Sequence, residues 1–86
     1  MNTNTGELVG AITHYYPKIN VAVVKLSAPL RVGDNIQVVT KGGEFTQAVS
    51  SMQVDHKSVN QGNAGEVIAI MVEQKVREGD EVRKVQ

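Results

Sequence analysis

Apolar residues in this chain recur at every second position, in short runs set off by turn-forming residues. Period two sends alternate side chains to opposite faces of an extended backbone, so the pattern predicts strands. Six such segments stand out: residues 7–15, 21–26, 35–40, 45–56, 66–72 and 80–85. In the first, Leu8, Gly10 and Ile12 share a parity and are expected on one face. Between the first two segments, Pro17 fixes φ and Asn20 can take a left-handed conformation. Lys41-Gly42-Gly43-Glu44 reads as a tight hairpin, because adjacent glycines accept positive φ. No long stretch shows helical spacing with caps.

The fourth segment breaks its own rule. Phe45, Gln47 and Val49 share one parity, whereas Met52 and Val54 share the other. Both sets can face a core only if the chain inserts an extra residue, so a β-bulge is expected near Ser50–Ser51.

A phrase is also written twice. Leu30-Arg31-Val32-Gly33-Asp34-Asn35-Ile36 returns as Val76-Arg77-Glu78-Gly79-Asp80-Glu81-Val82, with a partial third copy in Gly65-Glu66-Val67-Ile68. We read each copy as a strand-entry corner. Gly33, Gly65 and Gly79 take backbone angles that a Cβ would penalise, and Asp34, Glu66 and Asp80 accept a hydrogen bond from a nearby backbone N–H. A shared metal or acid–base site built from these three acids is the competing reading. Each acid already has a local turn role, and no histidine stands at ligand spacing, so the turn reading is preferred.

Composition sharpens the fold class. Fifteen valines and five isoleucines stand against three leucines, and β-branched side chains suit a pleated surface better than a helix. With 86 residues the chain has room for one core. The expectation is an all-β domain over residues 7–86, preceded by a flexible tail over 1–6: a six-stranded closed antiparallel β-barrel, since closure removes exposed edges. Nine basic and nine acidic residues cancel, which argues against a bulk electrostatic grip on nucleic acid. Without cysteine, disulfides and thiolate metal sites are excluded, and no cofactor is expected. The longest apolar run, residues 67–72, is far short of a membrane span, and the polar opening does not resemble a signal peptide. These features predict a soluble cytoplasmic protein without a membrane role.

Taken in order, Val32-Gly33-Asp34-Asn35-Ile36, Val49-Ser50-Ser51-Met52 and Ala64-Gly65-Glu66 with Ile68 and Ile70 resemble the second, β-barrel domain of elongation factor Tu and other translational GTPases. Thr13-His14-Tyr15-Tyr16-Pro17-Lys18-Ile19 and residues 51–57 are similar to a group of small stand-alone elongation-factor-like proteins. The likeness covers about residues 7–85. It implies a translation-factor domain II barrel that docks RNA, such as tRNA or rRNA, or a translation-related protein. The phosphate-cradling Gly-x-x-x-x-Gly-Lys-Ser/Thr motif of a GTPase is missing, so GTP hydrolysis is not implied.

The densest polar–aromatic cluster is His14, Tyr15, Tyr16 and Lys18, with His56 and Lys57 expected to join it if both lie at one end of the barrel. Tyrosine rings can stack on bases and lysine can meet phosphate, although with only three aromatics at least one tyrosine is needed for packing. No nucleophile accompanies His14 or His56, so the chain is read as non-enzymatic. Lys75, Arg77, Arg83 and Lys84 are interleaved with acids and read as a solvated face. The alternative function is a structural module that forms a homodimer, or docks on a larger enzyme such as a collagenase-like peptidase, whose terminal domain looks alike.

Overall fold

The structure is a computed structural model and describes residues 7–85. Its ten strands are β1 (Glu7–Tyr16), β2 (Val21–Leu26), β3 (Leu30–Arg31), β4 (Asn35–Thr40), β5 (Gly43–Ala48), β6 (Met52–Val54), β7 (Lys57–Ser58), β8 (Gln61–Gly62), β9 (Val67–Met71) and β10 (Glu81–Val85). Among the described residues there is no helix, and hence none long and apolar enough to cross a membrane. Eight strands form one sheet in the order β5-β4-β10-β1-β2-β9-β6-β7, while β3 and β8 pair separately. Every pairing is antiparallel.

All six predicted segments contain strand, but the fourth is divided. Residues 43–48 pair with β4, residues 52–54 pair with β9, and the chain between them changes partner rather than bulging within one ladder. Val49 and Met52 are both buried on either side of exposed Ser50 and Ser51. The cause is local. The Val49 N–H donates to Asp34 O and its carbonyl accepts from Gly33 N, so the groups that would extend a ladder are spent on the first corner. No ladder joins β5 to β6 among the described residues, and the expected closed six-stranded barrel reduces to an all-β antiparallel sheet. The first segment also departs from its expected face. A register shift between Leu8 and Gly10 buries Val9 with Gly10 and Ile12, and leaves Leu8 exposed.

The three glycine–acid corners share one geometry. Gly33, Gly65 and Gly79 have φ of 98°, 89° and 94°, a region where a Cβ is costly. In each, the acid's N–H donates to the carbonyl three residues back, at 3.1 Å from Asp34, Glu66 and Asp80. The acid's carboxylate accepts from that same residue's N–H, at 2.9 Å from Arg31, 2.7 Å from Asn63 and 2.7 Å from Arg77. A glycine at the third position of such a turn fits type II geometry. Each corner then brackets one residue from elsewhere in the chain, with the glycine N–H donating to its carbonyl and the acid's carbonyl accepting from its N–H. The bracketed residues are Val49, Leu26 and Ile12, all buried. The acids therefore stand apart, each occupied in its own turn. Among the described residues no group of three His, Cys, Asp or Glu could hold a metal ion.

Inward side chains from the long strands meet in one cluster that includes Ile12, Val24, Ile36, Val38, Ile70 and Val82. Gly10 is needed where β1 crosses β2, because a Cβ there would lie 2.6 Å from the Lys25 carbonyl oxygen. Gln37, Gln47 and Asp80 are the buried polar residues among those described, and of these Gln47 has the side-chain hydrogen bonds that reach farthest along the chain. It is 7% exposed, and its side chain donates to Met71 O and accepts from Glu73 N, both at 2.8 Å. One side-chain amide thus satisfies backbone groups at the end of β9, where β5 makes no ladder.

Candidate functional site

A second register shift, between Ile12 and His14, decides how the aromatic cluster is presented. Thr13 is the extra residue, and its hydroxyl donates to Val23 O. Beyond it Tyr15 pairs with buried Ala22 and packs half-buried against the core, while His14 and Tyr16 pair with Val23 and Val21 on the outer face. The next ladder extends these rows. Val21 pairs with Met71, Val23 with Ala69 and Lys25 with Val67.

The outer face of β1, β2 and β9 is consequently largely apolar toward the turn end, with Lys25 interrupting the third row between Ala11 and Val67. One row reads Tyr16–Val21–Met71 and the next His14–Val23–Ala69, with Val67 below. Tyr16, Met71 and Val67 are 47%, 49% and 50% exposed, and Ile19 in the adjoining turn reaches 60%. The His14 and Tyr16 rings lie 4.4 Å apart between centroids. His14 Nδ1 also approaches Glu78 at 3.3 Å, an exposed contact that contributes little to stability. An antiparallel sheet face open to water ordinarily carries polar residues. Exposed apolar residues gathered on one face make it the candidate contact surface.

The remaining predicted site residues fall elsewhere. Lys18 is exposed in the β1–β2 turn, beside Asn20 at φ 57°. His56 and Asp55 form the two-residue turn of the β6–β7 hairpin, with φ of 65° and 52°, and Lys57 opens β7. Such a turn needs positive φ at both positions, which Asp and His tolerate better than bulky residues. The expected single patch is not assembled. Gln53 pairs with Ala69, so β6 runs on toward the Val67–Lys25 end of the sheet, whereas the β1–β2 turn lies at the Met71–Val21 end. His14, Tyr15, Tyr16 and Lys18 therefore share one end, while His56 lies beside Val23, Val67 and Ala69 further along the sheet.

Sequence reasoning missed two features. The apolar outer face was hidden because Val21-Ala22-Val23-Val24 and Val67-Ile68-Ala69-Ile70-Met71 look like strands buried on both sides. The available signal was that both parities are apolar in an antiparallel setting. The second feature is a cleft of about 430 Å³ at the β1–β2 turn end, lined by Tyr15, Pro17, Lys41, Lys75 and Arg77 among others. Lys75 and Arg77 read as part of a charge-balanced stretch because the chain gives no hint that Lys41 joins them.

Comparison with known proteins corrects the expected kinship. No protein-family model matches the chain. An uncharacterized protease of Methanocaldococcus jannaschii is 36% identical over 75 residues, which cover 86% of this chain and 18% of that protein. Crystal structures of the C-terminal domain of a Geobacillus thermoleovorans protein assigned to the U32 peptidases superpose at 18% identity. One has a TM-score of 0.87 and covers 100% of both chains. Its selenomethionine variant has a TM-score of 0.86 and covers 91% of this chain and 99% of its own. These matches are to peptidase-associated proteins, not to a translation elongation factor, so the elongation-factor resemblance and the translation role it implied are set aside. The reason is physical: glycine–acid corners specify how a strand is entered, and unrelated small β domains can use the same corner. At 18% identity the structural likeness establishes the fold, and the curated relative extends far beyond the segment this chain matches.

Proposed function

We propose that this chain is a non-catalytic accessory domain of a U32-type peptidase, docking through the outer face of β1, β2 and β9 on the larger body of such an enzyme. The observation that carries this reading is the bare Tyr16–Val21–Met71 row on a fold that matches a peptidase C-terminal domain end to end. Aromatic residues and methionine are enriched at the buried centres of protein interfaces. The absence of a metal-ligand cluster among the described residues is compatible with this role but does not argue for it.

The same reading extends to the sheet. β5 and β6 are successive stretches of one chain on its two sides, and Gln47 links β5 to the backbone just after β9. We take this as a barrel seam made by a side-chain amide in place of a ladder, which would give the accessory domain a rigid wall to dock with.

Calorimetric titration of the chain into the M. jannaschii relative, shortened by its matching segment, tests the docking. Saturable binding that Tyr16→Ser with Met71→Ser weakens roughly tenfold or more is expected. Absence of binding, with concentration-dependent self-association that the same two changes abolish, would assign the face to a second copy instead. Proteolysis of a generic protein substrate by the purified chain alone would refute the non-catalytic part.

A further inference from the structure

We propose that the cleft between the Lys41–Gly42 hairpin tip and the Lys75–Arg77 loop binds an acidic peptide segment. Three cationic side chains from two separate segments line one cleft of about 430 Å³. Among the described residues none of the three makes an ion pair. Nearby acids are turned to other tasks. The Glu44 carboxylate accepts from Gln37 Nε2, Glu78 meets His14, and Asp80 accepts from Arg77 N. Three cations without an ion-pair partner among the described residues, gathered in one concavity, favour an anionic ligand, even with the Asp80 carboxylate on the Arg77 N–H.

The form of that ligand follows from which donors remain free. Compact phosphates favour clustered backbone N–H groups. Here the Arg77 N–H is spent on Asp80 Oδ2 at 2.7 Å, and the Gly42 N–H on Thr40 Oγ1 at 3.2 Å. The charge of the cleft is carried by side chains distributed over two loops, an arrangement suited to several carboxylates spaced along an extended chain. The guanidinium of Arg77 can take one carboxylate in a fork. Tyr15 and Pro17 add ring surface against which the stems of neighbouring residues can lie. The site goes beyond the accessory role proposed above and is independent of it, because it is read on the isolated chain.

The test is fluorescence anisotropy with a short labelled peptide of alternating Glu and Ala, at low ionic strength. Saturable binding is expected to weaken as added salt shortens the screening length. Lys41→Ala and Lys75→Ala should each raise Kd roughly fivefold and Arg77→Ala roughly tenfold. Lys25→Ala and Lys57→Ala should leave Kd unchanged. On the unaltered chain, the peptide should shift the amide resonances of Gly42 and Arg77 and leave those of Lys25 and His56 in place. The proposal is overturned if the Gln–Ala counterpart binds equally well, or if the Lys25 and Lys57 variants lose as much. Displacement of the peptide by an oligonucleotide or inorganic phosphate at lower concentration also overturns it, as do resonance shifts centred away from the cleft.

Discussion

Two outer faces of the same sheet obey the same register and carry opposite chemistry. On β10, β4 and β5 the outward rows read Arg83–Gln37–Thr46 and Glu81–Val39–Glu44. Several of their polar groups pair, although Gln37 is itself buried and its Oε1 has no hydrogen-bond partner among the described residues. Arg83 meets Glu81 at 3.0 Å, and the Gln37 amide donates to Glu44. On β1, β2 and β9 the outward rows are Tyr16–Val21–Met71 and His14–Val23–Ala69, and little polar material covers them. Inward parity is apolar on both sides and accounts for the fold. Outward parity is not needed for the fold, and there the two halves diverge: one has a finished polar surface and the other an unfinished apolar one.

The sharpest way to break this comparison is to change an inward residue on the apolar side. Ile70→Ala should cost about 2–5 kcal/mol by removing fully buried methyl groups and leaving a cavity, read as a lower denaturant midpoint with unchanged slope. Next comes the seam. Gln47→Leu strips the partners from Met71 O and Glu73 N, and should cost about 1–3 kcal/mol in the same measurement. Outward changes on the apolar face should then separate docking from stability. Tyr16→Ser with Met71→Ser should move unfolding by roughly 0.5 kcal/mol or less per site while abolishing most partner binding. Smallest of all, Glu81→Ala on the polar face should cost about 0.2–1 kcal/mol, shrinking as salt is added. If the Glu81 change cost more than the Ile70 change, the division between folding parity and surface parity would collapse.

Much of the fold was legible because period two is a strong signal in a valine-rich chain. Residues 21–26 and 35–40 are strands with the bounds their pattern predicts, and Asn20 is left-handed in the turn where its residue type suggested it. The fourth segment was only half legible. Its parity break was visible, but a switch of partner strand and a bulge predict the same break, and only the corner at Gly33–Asp34 distinguishes them. The shift at Val9 left no mark because it depends on pairing with β10, distant in the chain, and the shift at Thr13 left none because period two does not show where a hairpin takes an extra residue. For the same reason the candidate site resisted reading. Tyr15 and Tyr16 are adjacent letters with opposite fates, and Lys41 meets Lys75 and Arg77 only through the fold.

The third corner has a consequence for how the molecule is made. Gly79 and Asp80 supply the partners of both the Ile12 amide and the Ile12 carbonyl, so β1 is fastened by residues synthesised long after it. Long-range closures of this kind are slow, because loop entropy is lost before any contact rewards it. During synthesis β1 and β2 can pair with each other first, while the Ile12 amide and carbonyl wait for the third corner to emerge, and a truncation before Gly79 leaves both without these partners.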